Sequence, residues 1–323
     1  MNPVTVLLPE SITLIDAQYL HPAKSAVYMI TEGNRAAFID TNTNHAVPII
    51  LETLKARGFA PEQVDYIILT HIHLDHAGGT GKLLESCPNA TVLAHPRAAR
   101  HAADPSRLIA GARALYGDEQ FDALYGEIVP VPESRLRAME DGETLIWGTR
   151  TLTFFHTRGH ANHHFSIHDS ATRSVFAGDN FGLGRNAADT HGPVFLMCTS
   201  SPVEFDGPEA LLSVQKILDK HPEWIFIGHY GAVNDIQAGA DQVLHSIRQM
   251  EAIRAGAVGL DLDGDALDEW CEARVWEAFN EHLTRFGSKT LEEDLAYLRL
   301  DAFLNARGLS FTALKERKAK AAE

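Results

Sequence analysis

Four side chains able to bind a metal ion fall within six residues of this chain. They are His71, His73, Asp75 and His76, in the run Thr-His-Ile-His-Leu-Asp-His that starts at Thr70. The segment before it, residues 64–70, reads Val-Asp-Tyr-Ile-Ile-Leu-Thr, the pattern of a short buried strand. In extended backbone alternate side chains share a face, so His71 and His73 can grip one ion together. Asp75 and His76 follow where the chain leaves the strand, and can turn toward a second ion beside the first. Gly78 and Gly79 then allow the backbone to bend closely around the site. One histidine in a loop would carry no such meaning. Three with an aspartate at this spacing, behind an apolar strand, point to a metal.

A metal site draws on several segments, and the later sequence supplies them. Gly159-His160 follows an apolar run at 151–156, Gly178-Asp179 follows one at 174–177, and Gly228-His229 follows one at 224–227. In each case a glycine precedes the candidate ligand at the end of a predicted strand, where α/β architectures place their functional groups.

Around these segments the chain divides into two β/α halves and a helical tail. Strands are expected at 12–16, 25–30, 36–40, 64–70 and 91–94, with a helix carrying Val47, Ile50, Leu51 and Leu54, and mostly helix over 98–126. A second β-rich half begins near Leu136, with strands at 145–147, 151–156, 165–168 and 174–177, a helix over 207–220 and a last strand at 224–228. From about Ile236 the pattern is helical throughout. Leu267, Cys271, Val275, Phe279 and Leu283 form one stripe, and Leu291, Leu295, Leu298 and Phe303 another. Thr290 to Glu293 reads as a capping box, with Gly308 closing the helix it opens. The expected units are a catalytic domain over 1–235 and a helical extension over 236–323. The run Asp261-Leu262-Asp263-Gly264-Asp265 has its glycine too early for a calcium loop and reads as a turn and helix cap.

Composition narrows the class. Hydrophobic residues make up 45% of the 323 and charged residues 22%, ordinary values for a globular enzyme. The formal charge of −15 repels nucleic-acid phosphates, so no nucleic-acid partner is expected. No apolar run reaches membrane-spanning length, and the N-terminal residues lack the basic start of a cleaved signal. Three cysteines, 87, 198 and 271, stand far apart without a Cys-x-x-Cys pair, which suits a reducing compartment. A cytoplasmic location is the expectation.

The Thr-His-x-His-x-Asp-His run, together with the later Gly-His, Gly-Asp and Gly-His, resembles the metallo-β-lactamase superfamily, and within it the glyoxalase II-like hydrolases. The resemblance covers roughly residues 12–233 and not the tail. It implies an α/β fold, an αββα sandwich of the metallo-β-lactamase type, with the helical extension added. It assigns His71, His73 and His160 to one metal, Asp75, His76 and His229 to a second, and Asp179 to a bridge between them. The run His160-Ala-Asn-His-His164 is similar to the family's His-Thr-x-Gly-His, in which the last histidine, here His164, supports the site. Arg158 stands where that pattern has proline and His163 where it has glycine. Asp40 matches a family aspartate that braces the metal loop.

The chemistry implied is hydrolysis of a small thioester, ester or lactone. Two divalent ions sharing a water lower its pKa from about 15.7 toward ~7, which makes hydroxide available at neutral pH, with Asp75 orienting it and taking a proton. The ligand set suits zinc and is compatible with iron or manganese. The alternatives are a mononuclear iron enzyme similar to the persulfide dioxygenases, and a phosphodiesterase. Tyr230 and His191 are candidate pocket residues, and residues 181–205, with Phe195, Leu196 and Met197, are expected to line the pocket. The apolar stripes of the tail need a cover. The β/α body near the active-site mouth or the tail of a second copy in a homodimer could supply it.

Overall fold

In the first half of the chain the apolar runs pair in sequence order into one sheet. Its strands are β1 (Thr5–Leu8), β2 (Ile12–Asp16), β3 (Ala26–Glu32), β4 (Arg35–Ile39), β5 (Val64–Leu69), β6 (Thr91–Ala94) and β7 (Leu136–Ala138). The first four are antiparallel. Beyond β4 the pairing is parallel, and helices make the crossovers: α1 (Val47–Ala56), then α2 (Leu74–Ala77) and α3 (Thr80–Ser86), then α4 (Pro96–Ala103), α5 (Ser106–Tyr116) and α6 (Asp118–Tyr125). The computed structural model describes residues 5–8, 11–186, 193–200 and 203–322.

The second sheet has the order β14-β13-β11-β10-β9-β8, with β12 added to β11. Its strands are β8 (Thr144–Trp147), β9 (Arg150–His156), β10 (Phe165–Asp169), β11 (Ser174–Asn186), β12 (Pro193–Met197), β13 (Trp224–His229) and β14 (Gly231–Val233). The helix α7 (Gly207–Leu218) links β12 to β13, so β13 runs parallel to β11. The two sheets meet face to face over Tyr28, Ile39, Ile68, Phe154, Phe165, Phe176 and Phe226. Each large apolar side chain buried there contributes about 1.5–3 kcal/mol, and ring pairs such as Phe176–Phe226, 4.9 Å apart, add specificity to the packing. The outer face of the first sheet is covered by α1, α3 and α4. An αββα sandwich results, as expected.

The tail forms α8 (Ile236–Val258), α9 (Gly264–Arg285), α10 (Leu291–Tyr297) and α11 (Arg299–Ala321). It shares one hydrophobic core with the second sheet and α7. The predicted stripe Leu267, Cys271, Val275, Phe279 and Leu283 is fully buried in that core beside Phe181, Phe195 and Leu196. The body of the same chain therefore covers this stripe.

Three expectations need correction. Gly308 does not close a helix: it lies inside α11, which buries small residues (Ala302, Ala306, Ala313) with Leu309, while Phe303 is only half-buried. Thr290 makes no capping bond to the backbone. Its hydroxyl donates to the buried Asp294 instead, which also takes Ser288 and Arg185. Phe195, Leu196 and Met197 belong to the core and to β12 rather than to a pocket wall, because β12 is covered on both faces: Leu196 lies against Gly239 of α8 and Phe195 against Tyr297 of α10. Among the described residues no helix is long and apolar enough to cross a membrane, and all three cysteines are buried and unpaired.

Candidate metal centre

The seven predicted ligands converge at one end of the sandwich. Thr70 ends the run of β5, and the next residues leave the sheet, so that His71 and His73 project from extended backbone while Asp75 and His76 sit in the single turn of α2. His160 comes from the loop after β9, Asp179 from within β11 and His229 from the last residue of β13. Asp179 is not at a strand end, as its sequence context suggested. β11 continues through it, and the pairing with β13 shifts register around Gly178, whose φ of +51° re-aims the strand toward the site. A Cβ at Gly178 would lie 2.4 Å from His164 Nε2, and one at Gly228 would lie 2.4 Å from His76 Cε1 and 2.8 Å from Asp179 Oδ1. The glycines before these two ligands are there because the site presses on the backbone.

His73 Nδ1 lies 3.0 Å from both His71 Nε2 and His160 Nε2. His76 Nε2 lies 3.1 Å from His229 Nε2, and Asp75 Oδ2 lies 3.2 Å from His229 Nε2. Asp179 stands between the two groups, with Oδ2 3.6 Å from His160 Nε2 and 3.6 Å from His229 Nε2, and Oδ1 3.3 Å from His76 Nε2. Three overlapping clusters of these side chains have ligating atoms within 4.8 Å of one another: His71–His73–His160, His71–His76–Asp179 and Asp75–His76–His229.

The outer hydrogen bonds fix which ring nitrogens face inward. Asp40, just past β4 with φ of +60°, accepts the Thr70 amide and hydroxyl and the Nδ1–H of His76 at 3.0 Å. Because the Thr70 hydroxyl donates to Asp40, it accepts from His71 Nδ1 at 3.1 Å. The Lys24 carbonyl accepts from His229 Nδ1 at 3.2 Å. His71, His76 and His229 thus each turn an unprotonated Nε2 into the site when neutral. His164, fully buried, accepts the Asp179 amide at Nε2 and so donates from Nδ1 to Thr157, which holds β11 against the His160 loop.

This arrangement fits divalent ions. His73 Nδ1 can donate to at most one of its two neighbours, and His76 and His229 face each other through acceptor nitrogens. Lone pairs therefore oppose lone pairs unless a cation or a proton stands between them. Asp179 Oδ1 is buried and accepts no hydrogen bond. The electrostatics agree. Burial, with neighbouring rings, pushes His71 and His73 well below the usual histidine range, and burial also lowers His160. For Asp179, burial pushes upward but His76 and His229 outweigh it and hold the carboxyl well below its ordinary range; Asp75 is lowered in the same way by His76 and His229. Burial opposes charge on His76 and His229, yet Asp179 and Asp75 raise both. Neutral imidazoles on one side and two ionised carboxylates on the other are the donor chemistry of a His-rich divalent centre.

The centre lies on the floor of a cleft of about 650 Å³. One wall is α5, through Leu108, Ala112 and Leu115; the other is α11, through Leu300, Leu304 and Phe311. His163, whose role the sequence left open, lines the floor. Its ring stacks parallel to that of His71 at 6.1 Å and meets His73 edge-on at 5.2 Å, and burial lowers it to about 4. The only signal in the sequence was the histidine standing where the related pattern has glycine. Tyr230 is buried in the core between the sheets and does not line the cleft, so it is removed from the pocket residues. His191 lies outside the described residues.

Comparison with known proteins agrees with this geometry. The family model of the metallo-beta-lactamase superfamily matches residues 22–229. The N-acyl homoserine lactonase AttM of Rhizobium radiobacter is 31% identical over 36% of this chain and 40% of its own length. The hydroxyacylglutathione hydrolase of Aeromonas salmonicida is 28% identical over 49% of this chain and 48% of its own. The chain thus matches about half or less of each of these enzymes. Among solved structures, ST1585 from Sulfolobus tokodaii, described as an archaeal metallo-beta-lactamase superfamily protein, superposes with a TM-score of 0.64 at 20% identity. That superposition covers 94% of this chain and 99% of ST1585, and bears on fold alone. With the family pattern matched over most of the two-sheet body, the chain belongs to the metallo-β-lactamase superfamily.

Proposed function

We propose that this chain is a divalent-metal hydrolase that opens a thioester, ester or lactone, with zinc as the preferred ion and two ions per chain. The observation that carries the reading is the position of Asp179, 3.6 Å from a ligand of each set, at the floor of a cleft with apolar walls. His71, His73 and His160 would hold one ion and Asp75, His76 and His229 the other, with Asp179 shared. Ions held there supply Lewis acidity toward the scissile carbonyl and toward an attacking water.

The protein side of the reaction follows from the residues. Asp75 remains ionised and is the least buried of the carboxylates at the centre, so it can orient a water and take its proton. The oxygen of that water bonds to the carbonyl carbon, and the bond to the leaving oxygen or sulfur breaks, with the proton passing to the leaving group. Leu108, Leu115, Leu300 and Phe311 line the cleft, the last three exposed, and favour an apolar portion of the substrate that would cover them. The completeness of the second set, whose ring nitrogens His76 and His229 are 3.1 Å apart, favours this reading over a mononuclear dioxygenase. The charge of −15 weighs against a nucleic-acid phosphodiester.

The test is a substrate panel on the full-length chain: p-nitrophenyl esters, acyl thioesters, lactones and bis-p-nitrophenyl phosphate, before and after chelation. Turnover of one of the three carbonyl classes, lost on chelation and restored by Zn²⁺, is the expected result. Turnover of the phosphodiester alone, or oxygen uptake with a persulfide and no hydrolysis, would overturn the proposal.

A further inference from the structure

His229 takes its orientation from a backbone carbonyl, that of Lys24, in the loop between β2 and β3. That loop is held from the far end of the chain. The Lys24 ammonium is 4% exposed and sits 2.5 Å from Asp301 Oδ2, itself 12% exposed, in the first turn of α11. The same ammonium lies 4.5 Å over the ring of Tyr297, at the end of α10. The Tyr297 hydroxyl is 3.1 Å from the Ala23 carbonyl and 3.2 Å from that of Gly184, to one of which it donates. His21 packs edge-on to the same ring at 5.1 Å, and Arg185 of β11 pairs with Asp294 of α10. Two successive carbonyl-bearing residues, 23 and 24, are thus pinned by the tail. A buried ammonium without its carboxylate is costly, so Lys24 has strong reason to stay where Asp301 holds it.

We propose that Asp301 is a positioning residue for the metal pair: through Lys24 it fixes the carbonyl that orients His229, and so sets the affinity of the ion that His229 holds. This rests on the two-ion reading above. Groups that orient metal-binding imidazoles typically govern affinity by about 10–100-fold. The neighbours of Lys24 are held within the first half, Ala23 by Asp16 and Ser25 by Asn42, but the carboxylate that holds the Lys24 ammonium comes from α11, which makes the tail part of the centre although none of its residues is a ligand.

The test titrates metal-stripped full-length protein with Zn²⁺ by calorimetry. The variants are Asp301→Asn, Asp301→Glu and the double substitution Lys24→Met with Asp301→Leu, which removes both charges and keeps apolar fill should the single change misfold. Wild type is expected to take two ions. Asp301→Asn and the double variant should take one with unchanged affinity and the other about 10-fold or more weaker, while Asp301→Glu recovers most of the loss. Equal affinities for both ions in all variants, or equal weakening of both, would overturn the proposal. A wild type that binds a single ion would overturn the two-ion reading, and this inference with it.

Discussion

Asp179 stands between the two proposed ligand sets. One carboxylate oxygen faces His160 and His229 and the other faces His76, and the side chain is buried at the floor of the cleft. Asp179→Asn keeps the shape but removes the charge that balances a second cation. We expect activity to be lost and metal content to fall together, measured by turnover and elemental analysis on the same preparation. Full metal with near-normal turnover would show that Asp179 does not bridge. At this scale the sequence was informative wherever a side chain carries the chemistry. His71, His73, Asp75, His76, His160, Asp179 and His229 stand out by type and spacing, and the structure gathers them. Asp40 and His164 sit where the resemblance implied, each hydrogen-bonded to the site. Lys24 could not be found this way, because its contribution is a carbonyl that every residue has. Tyr230 misled because it neighbours His229, but it occupies the turn between β13 and β14 and its ring packs into the core between the sheets.

Among the elements, short strands bounded by turns were legible from their apolar runs, and α9 from its stripe. What was not legible depended on partners distant in sequence. The extension of β11 through Asp179 relies on β12 and β13, and Thr290 turned from the backbone toward Asp294 because Arg185, far upstream, made that carboxylate worth burying. Within α9, His282 is buried and donates from Nε2 to the Leu196 carbonyl at 2.8 Å, with His245 beside it and Arg285 nearby. Burial holds it down at about 4. Its folded-state pKa is depressed below the ordinary 6.5, so the stability it brings is present above 6.5 and is lost as pH falls through about 4. His282→Gln keeps a donor for Leu196 and cannot titrate. The wild-type melting temperature should fall more steeply than the variant's between pH 6.5 and 4. Parallel profiles would mean that His282 does not couple the tail to the sheet.

For the whole molecule, the sandwich is a frame that brings the ends of β5, β9 and β13 and the bend within β11 to one edge, and the tail completes it. The apolar face of the second sheet is covered by α7 together with α8 and α9, and α11 supplies one wall of the cleft. The sequence read the tail as an addition, since no ligand lies in it. In three dimensions it shares a core with the sheet that carries Asp179 and His229. If this frame builds one centre for two divalent ions, as proposed, elemental analysis of the purified full-length chain will show it. About two divalent ions per chain, lost to a chelator and regained with Zn²⁺, is the predicted result. One iron per chain, unchanged by added zinc, would contradict it.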